Sequence, residues 1–184
     1  HIKLCTRGSL ALRHQRTIAK PVSVEGFGYW SGVDVHVQFR PAEPDTGLVF
    51  VRSYLPSPVA ILGDLANRIE TPRRTTICVG GIVVEMVEHI VAACAGMQVD
   101  NCEIWVDQPE MPGCDGSSLP FVEALRQAGV VEQPAPRARL VVGNVTRLGN
   151  DDGWVEARPS ADGGFHVKFR LDYGSGNAIG RPSL

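Results

Sequence analysis

One change of rhythm constrains this fold more than any other feature of the chain. Up to about residue 84 apolar residues tend to alternate singly with polar ones; from Met86 they recur every third or fourth position. Val33, Val35, Val37 and Phe39 fall on one side of an extended chain, and Asp34, His36, Gln38 and Arg40 on the other. That two-residue period is the mark of a half-buried strand. Thr17 to Phe27 and Gly47 to Arg52 read as further strands, and Thr75 to Val84 as one or two short ones broken at Gly80-Gly81. Residues 55–71 give no clear period. From Met86 to Met97 the residues Val87, Ile90, Val91, Cys94 and Met97 share one face of an amphipathic helix, with Gly96 as its expected stop. Alternation returns in Asn101 to Asp107, and Leu119 to Ala128 predicts a second helix with Pro120 in its first turn and Gly129 just past its end.

Strands followed by segregated helices predict an α+β fold, a sheet layered on helices. Residues 1–14 form an unpatterned leader, expected to be poorly ordered. A first domain is expected over 15–132 and a linker over 133–137, where Gln133-Pro134-Ala135-Pro136 has no period and two prolines. Residues 138–184 offer strand candidates at Ala138 to Arg147, Gly153 to Arg158 and Phe165 to Tyr173. They predict an antiparallel meander, the opening of a second domain that the chain does not complete. Beginning on His1 and ending just after a strand signal, the chain is expected to be a fragment.

The 184 residues are 43% hydrophobic and 21% charged, which suits a packed core. A net charge of −2 gives no electrostatic footprint for nucleic acid. No apolar run approaches the roughly 20 residues that span a bilayer. Five cysteines without a C-x-x-C pair argue for reduced thiols in a cytoplasm.

Chemistry concentrates in few places. His1 and His14 lie in the leader, and the strand period turns His36 and His166 toward solvent. His89 follows Glu88 at the start of the first helix. An imidazole beside a carboxylate can hold a metal next to a water that the carboxylate deprotonates. Taken alone, the pair reads more simply as a helix start favouring Glu, with an incidental exposed His. No H-E-x-x-H spacing completes a metal site. Asp115-Gly116 reads as a tight turn, with Ser117 or Ser118 capping the second helix; the alternative sets Asp115 or Ser117 beside a ligand.

The ordered motifs resemble a known family. They are Gln15-Arg16-Thr17-Ile18, Phe39-Arg40-Pro41-Ala42, Arg74-Thr75-Thr76, Val87-Glu88-His89-Ile90 running into Ala92-Ala93-Cys94-Ala95-Gly96, Asp100-Asn101, and Pro109-Glu110-Met111-Pro112 through Asp115-Gly116-Ser117 to Phe121. Leu171-Asp172-Tyr173 and Ala178-Ile179-Gly180 follow. Together they are similar to the UDP-3-O-acyl-N-acetylglucosamine deacetylases of lipid A synthesis. The resemblance implies two α+β domains, Zn2+ as cofactor, a UDP-linked acyl glucosamine as substrate, His89 as one zinc ligand and Glu88 as general base. It places the other ligands, on a His-Lys-x-x-Asp helix, and the general acid beyond Leu184, so the chain alone is expected to be inactive. The alternative is a non-catalytic nucleotide-sugar-binding or regulatory module of the same descent. Three positions depart from the family: Tyr29-Trp30-Ser31-Gly32 stands for Leu-His-Thr-Gly, Met86 for Thr, and Gly174-Ser175-Gly176-Asn177 for a His-Pro-type turn.

Overall fold

The computed structural model describes the backbone of residues 2–5 and all of residues 13–174. It is mixed α+β, with two helices and several small sheets among the described residues. The chain falls into two compact units, one over 12–137 and one combining 1–11 with 138–184. In order, the elements are β1 (Ile2–Cys5), β2 (His14–Ile18), β3 (Val22–Phe27), β4 (Asp34–Pro41), β5 (Leu48–Arg52), β6 (Val59–Leu62), β7 (Arg68–Ile69), β8 (Thr76–Val79) and β9 (Ile82–Glu85). They continue with α1 (Glu88–Gly96), β10 (Cys102–Val106), α2 (Leu119–Ala128), β11 (Val130–Pro136), β12 (Arg139–Val142), β13 (Thr146–Gly149) and β14 (Trp154–Ala157). None of the described helices is long and apolar enough to cross a membrane.

The larger unit is organised by a five-stranded sheet in the order β3-β4-β10-β5-β6. Its centre, β10, runs antiparallel to β4 and parallel to β5. The alternation read from the sequence is what buries one face: Val35, Val37, Phe39, Ile104 and Val106 are all at most 2% exposed. Val33, expected with them, lies outside β4 and is exposed. Ile90, Ala93 and Cys94 of α1 and Phe121, Leu125 and Ala128 of α2 join the same core. The Phe39 and Phe121 rings meet edge-on with centroids 6.3 Å apart. Val91 sits at the edge of the helical stripe, partly exposed, and Ala93 takes the inward place instead.

A separate three-stranded sheet, β7-β8-β9, leads into α1. Gly80 and Gly81 join β8 to β9 with φ of +58° and +82°. Positive φ at both central residues of a two-residue loop is the type I′ geometry, whose twist matches the strands it joins.

The expected linker is a strand. β11 pairs antiparallel with β2, and its register shifts between Glu132 and Pro136. The two prolines lie on that irregular stretch, where missing N–H donors do least harm. What draws the segment in is Gln133. Asn101 Nδ2 donates to Gln133 Oε1 and to Gln15 Oε1, each at 2.7 Å, and Gln133 Nε2 donates to the Ala42 carbonyl at 2.8 Å. Buried amides are costly unless satisfied, so the network fixes all four segments.

The leader also contains structure, since β1 pairs antiparallel with β12 and His14 opens β2. Residues 1 and 6–12 of the leader, and the motif at 178–180, lie outside the described residues. In the smaller unit β13 and β14 form a hairpin, but β12 pairs with β1, so the three do not make the expected meander. No strand forms over Phe165 to Tyr173. Phe165, Val167 and Phe169 are 92%, 76% and 55% exposed. An alternating segment becomes a strand only where a partner strand and a layer bury its apolar face.

Candidate active site around Glu88 and His89

The helix bearing the pair starts without a capping side chain. Val87 occupies the cap position, and Met86 before it takes φ +59°, a left-handed conformation disfavoured for a bulky residue. The entry is held from both sides instead. Glu85 N–H donates to the Pro109 carbonyl at 2.8 Å, Met111 N–H donates to the Glu85 carbonyl at 3.0 Å, and Val87 N–H donates to the Thr75 carbonyl at 3.3 Å. The reverse contact fixes the base candidate: Thr75 N–H donates to Glu88 Oε2 at 3.1 Å. Glu88 and His89 are both half-buried, so each is still partly open to solvent.

The loop after β10 approaches from the other side. Asp115 Oδ1 accepts from the N–H and the hydroxyl of Ser117 at 2.9 and 2.8 Å. Those two bonds hold the Asp115 carboxyl below its ordinary range, and the charge of nearby His89 adds to the effect. The turn reading holds: Asp115 closes the Asp115-Gly116-Ser117 turn through Ser117. Ser117 Oγ, and no side-chain bond from Ser118, meets the start of α2 by accepting from Leu119 N–H at 3.0 Å.

Sequence reasoning passed over Glu110. It is 3% exposed, and its carboxylate accepts Trp30 N–H at 2.7 Å and Ser31 N–H at 2.9 Å. Burial alone would raise its pKa; the hydrogen bonds from Trp30 and Ser31, with Arg74 nearby, carry it below the ordinary value. Arg74 bonds Glu85 at 3.1 Å, and its guanidinium lies 5.4 Å from the Trp30 ring centroid. The available signal was an acidic residue set between Pro109 and the apolar Met111.

His36 and His166 are exposed, as the surface reading expected, although His166 lies outside any strand and sits against Asp162. No group of three ligating side chains comes together among the described residues. A catalytic zinc usually takes three protein ligands. His89 supplies at most one member of such a set, so no complete zinc site is formed by the described residues.

Comparison with known proteins agrees with the motif order. Residues 15–184 match the family described as LpxC: UDP-3-O-acyl N-acetylglycosamine deacetylase. Proteins named UDP-3-O-acyl-N-acetylglucosamine deacetylase from Shewanella oneidensis and Shewanella baltica are each 40% identical over 164 residues, covering 86% of this chain and 52% of the relative. The chain thus spans about half the length of the curated relatives it matches. With a match that begins at β2 and takes in the braced Glu88-His89 helix and the Asp115 loop, the chain belongs to the UDP-3-O-acyl-N-acetylglucosamine deacetylase family.

Proposed function

We propose that this chain supplies the general base and one metal ligand of a cytoplasmic zinc-dependent enzyme of lipid A synthesis. The enzyme hydrolyses the N-acetyl group of UDP-3-O-acyl-N-acetylglucosamine. The observation carrying this reading is the bracing of Glu88 by Thr75 N–H at 3.1 Å, directly beside His89 at the start of α1. A general base must be held where it can reach the proton it removes, and a backbone donor on one carboxylate oxygen does that without neutralising the group. His89 is the residue to ligate zinc. Bound zinc would acidify a water and polarise the acetamide carbonyl. Glu88 would take the water's proton, and His89 would ligate through its neutral imidazole. Free thiols at Cys78, Cys94, Cys102 and Cys114 suit a reducing compartment.

The test is metal content and acetate release in the full-length protein. Glu88→Ala is expected to keep stoichiometric zinc and lose turnover by about 10²–10⁴-fold, the usual contribution of a general base. His89→Ala is expected to lose zinc itself. Equal zinc loss in both variants would refute the division of roles. Tight binding of the UDP-sugar by the wild type with no turnover at all would point to a non-catalytic binding module.

A further inference from the structure

Arg73 and Met86 both hold the left-handed backbone conformation, with φ of +62° and +59°. Neither is a glycine, and such positions persist only where the surrounding contacts over-determine them. They flank one small arrangement. The register of β8 and β9 ends at the pair Thr76 and Glu85; past it lie Thr75 and Arg74 on one side, and Met86 and the start of α1 on the other. Thr75 spans the gap with both backbone groups. Its N–H donates to Glu88 Oε2 at 3.1 Å, and its carbonyl accepts Val87 N–H at 3.3 Å. The second bond exceeds the usual range of about 2.7–3.2 Å, so main-chain bonding alone holds Thr75 loosely.

The residue beside it is held more firmly. Arg74 Nη2 donates to Glu85 Oε1 at 3.1 Å, and both side chains are 22% exposed. A charge-assisted bond partly withdrawn from water is stronger than one between fully exposed groups. Glu85 is a fixed anchor for it, since its N–H and carbonyl are bonded to Pro109 and Met111. Glu85 also forms a parallel bridge with Glu110, whose carboxyl feels the Arg74 charge. One cation thus serves two adjacent carboxylates. Arg74 meets Glu85 through one nitrogen, and its Nε is buried without a hydrogen-bond partner among the described residues.

We infer that Arg74 is a positioning residue for the base: through its ion pair with Glu85 it sets where the Thr75 N–H meets Glu88. This rests on the deacetylase reading above. A catalytic group misplaced by about 1 Å can lose about a hundredfold in rate. The Thr75 N–H is the donor that fixes the Glu88 carboxylate, and Arg74 anchors the chain carrying that donor one residue away. Arg74 acts through Thr75, so its loss shifts the base without removing it.

The test uses the full-length protein, with acetate-release kinetics, zinc content and backbone amide exchange by NMR. Arg74→Met is expected to lower kcat about tenfold, with KM within about twofold and zinc retained. It is also expected to speed Thr75 amide exchange about tenfold, while Cys78 on β8 exchanges as in wild type. Arg74→Lys is expected to stay within about threefold of wild type, because a one-nitrogen contact does not need the planar fork. Glu85→Gln keeps the shape and an acceptor oxygen, and so reads the charge even if Arg74→Met fails to fold. It is expected to lower kcat about threefold, and to cost nothing further when added to Arg74→Met, since both changes break one contact. An unchanged kcat in either single variant overturns the inference. So does a raised KM at constant kcat, which would make Arg74 a substrate contact. Cys78 exchange that speeds up together with Thr75 also overturns it, since the whole sheet would then be loosened. Faster Thr75 exchange in Arg74→Met, in a protein whose wild type releases no acetate, sustains the hold on Glu88 and sinks the deacetylase reading.

Discussion

At the scale of single residues, Glu110 is the side chain whose chemistry most exceeds its sequence context. Its net pKa is lowered: burial pushes it up, but the Trp30 and Ser31 hydrogen bonds and the Arg74 charge outweigh burial. A carboxyl depressed in the folded state adds stability above its unfolded value, about 4.3 for Glu, and that stability is lost as pH falls through the folded value. Stability of the wild type is therefore expected to decline on acidification from about pH 5. Glu110→Gln is expected to decline less steeply, from a starting point lower by about 2–4 kcal/mol because charge-assisted bonds are weakened in a buried setting. Urea titrations of both proteins between those pH values check this; parallel pH profiles would show that Glu110 is not linked to stability. Asp115 teaches a related lesson. Its turn role was legible from Asp-Gly-Ser spacing, but the electrostatic influence of His89 on its carboxyl was not, because 26 positions of chain separate the two.

At the scale of elements, the periods of the sequence located both helices and most strands of the larger unit, while the chemistry at their ends was less legible. Gly96 was the expected stop for α1, yet it remains helical and the left-handed position falls on Gln98, with φ +57°. Val99 N–H donates to the Cys94 carbonyl at 2.8 Å and Gln98 N–H to the Ala95 carbonyl at 3.1 Å, which is a Schellman closure. Burial decides it: Val99 and Cys94 are both buried, and that apolar contact sets where the chain must turn. Gln98→Gly removes the steric cost of a Cβ in that conformation but loses the bond from Arg16 Nη1 at 2.8 Å. Because that bond is exposed, the variant is expected to gain about 0.5–1 kcal/mol. A rise of a few degrees in the thermal midpoint would register it, and a fall would show that the Arg16 contact dominates. β11 carries the same lesson from the other direction. Two prolines and no period argued for a linker, but Gln133 completes a buried amide network that no local rule describes.

At the scale of the whole molecule, every residue of the hydrophobic core lies between Ile18 and Ala128, inside the 12–137 unit. The two ends of that unit are tied together internally. Asp100 accepts both terminal nitrogens of Arg13 and pairs with Arg137 at 2.7 Å, and Arg137 N–H donates to the Arg13 carbonyl at 2.8 Å. A protein comprising residues 12–137 is therefore expected to unfold in one cooperative transition by circular dichroism. Residues 138–184 alone are expected to show none, because Phe165, Val167 and Phe169 are left exposed in their unit. Gradual, non-cooperative melting of 12–137 would contradict this account of the core.

The sequence alone determined the local periods, and with them the β4 and β10 core faces and the two helical stripes, because strand and helix geometry map directly onto spacings of two and three to four residues. It also determined that Glu88 and His89 adjoin at a helix start, which is a property of neighbours in the chain. Tertiary structure decided what surrounds that pair. Thr75 reaches Glu88 from 13 residues away, and Glu110 reaches Trp30 and Ser31 from 80 and 79. Contacts across such distances depend on how strands stack and which polar groups are left to satisfy once the core closes. No period along the chain encodes them, so the brace on the base and the buried carboxylate beneath the Trp30-Ser31 turn became visible only in three dimensions.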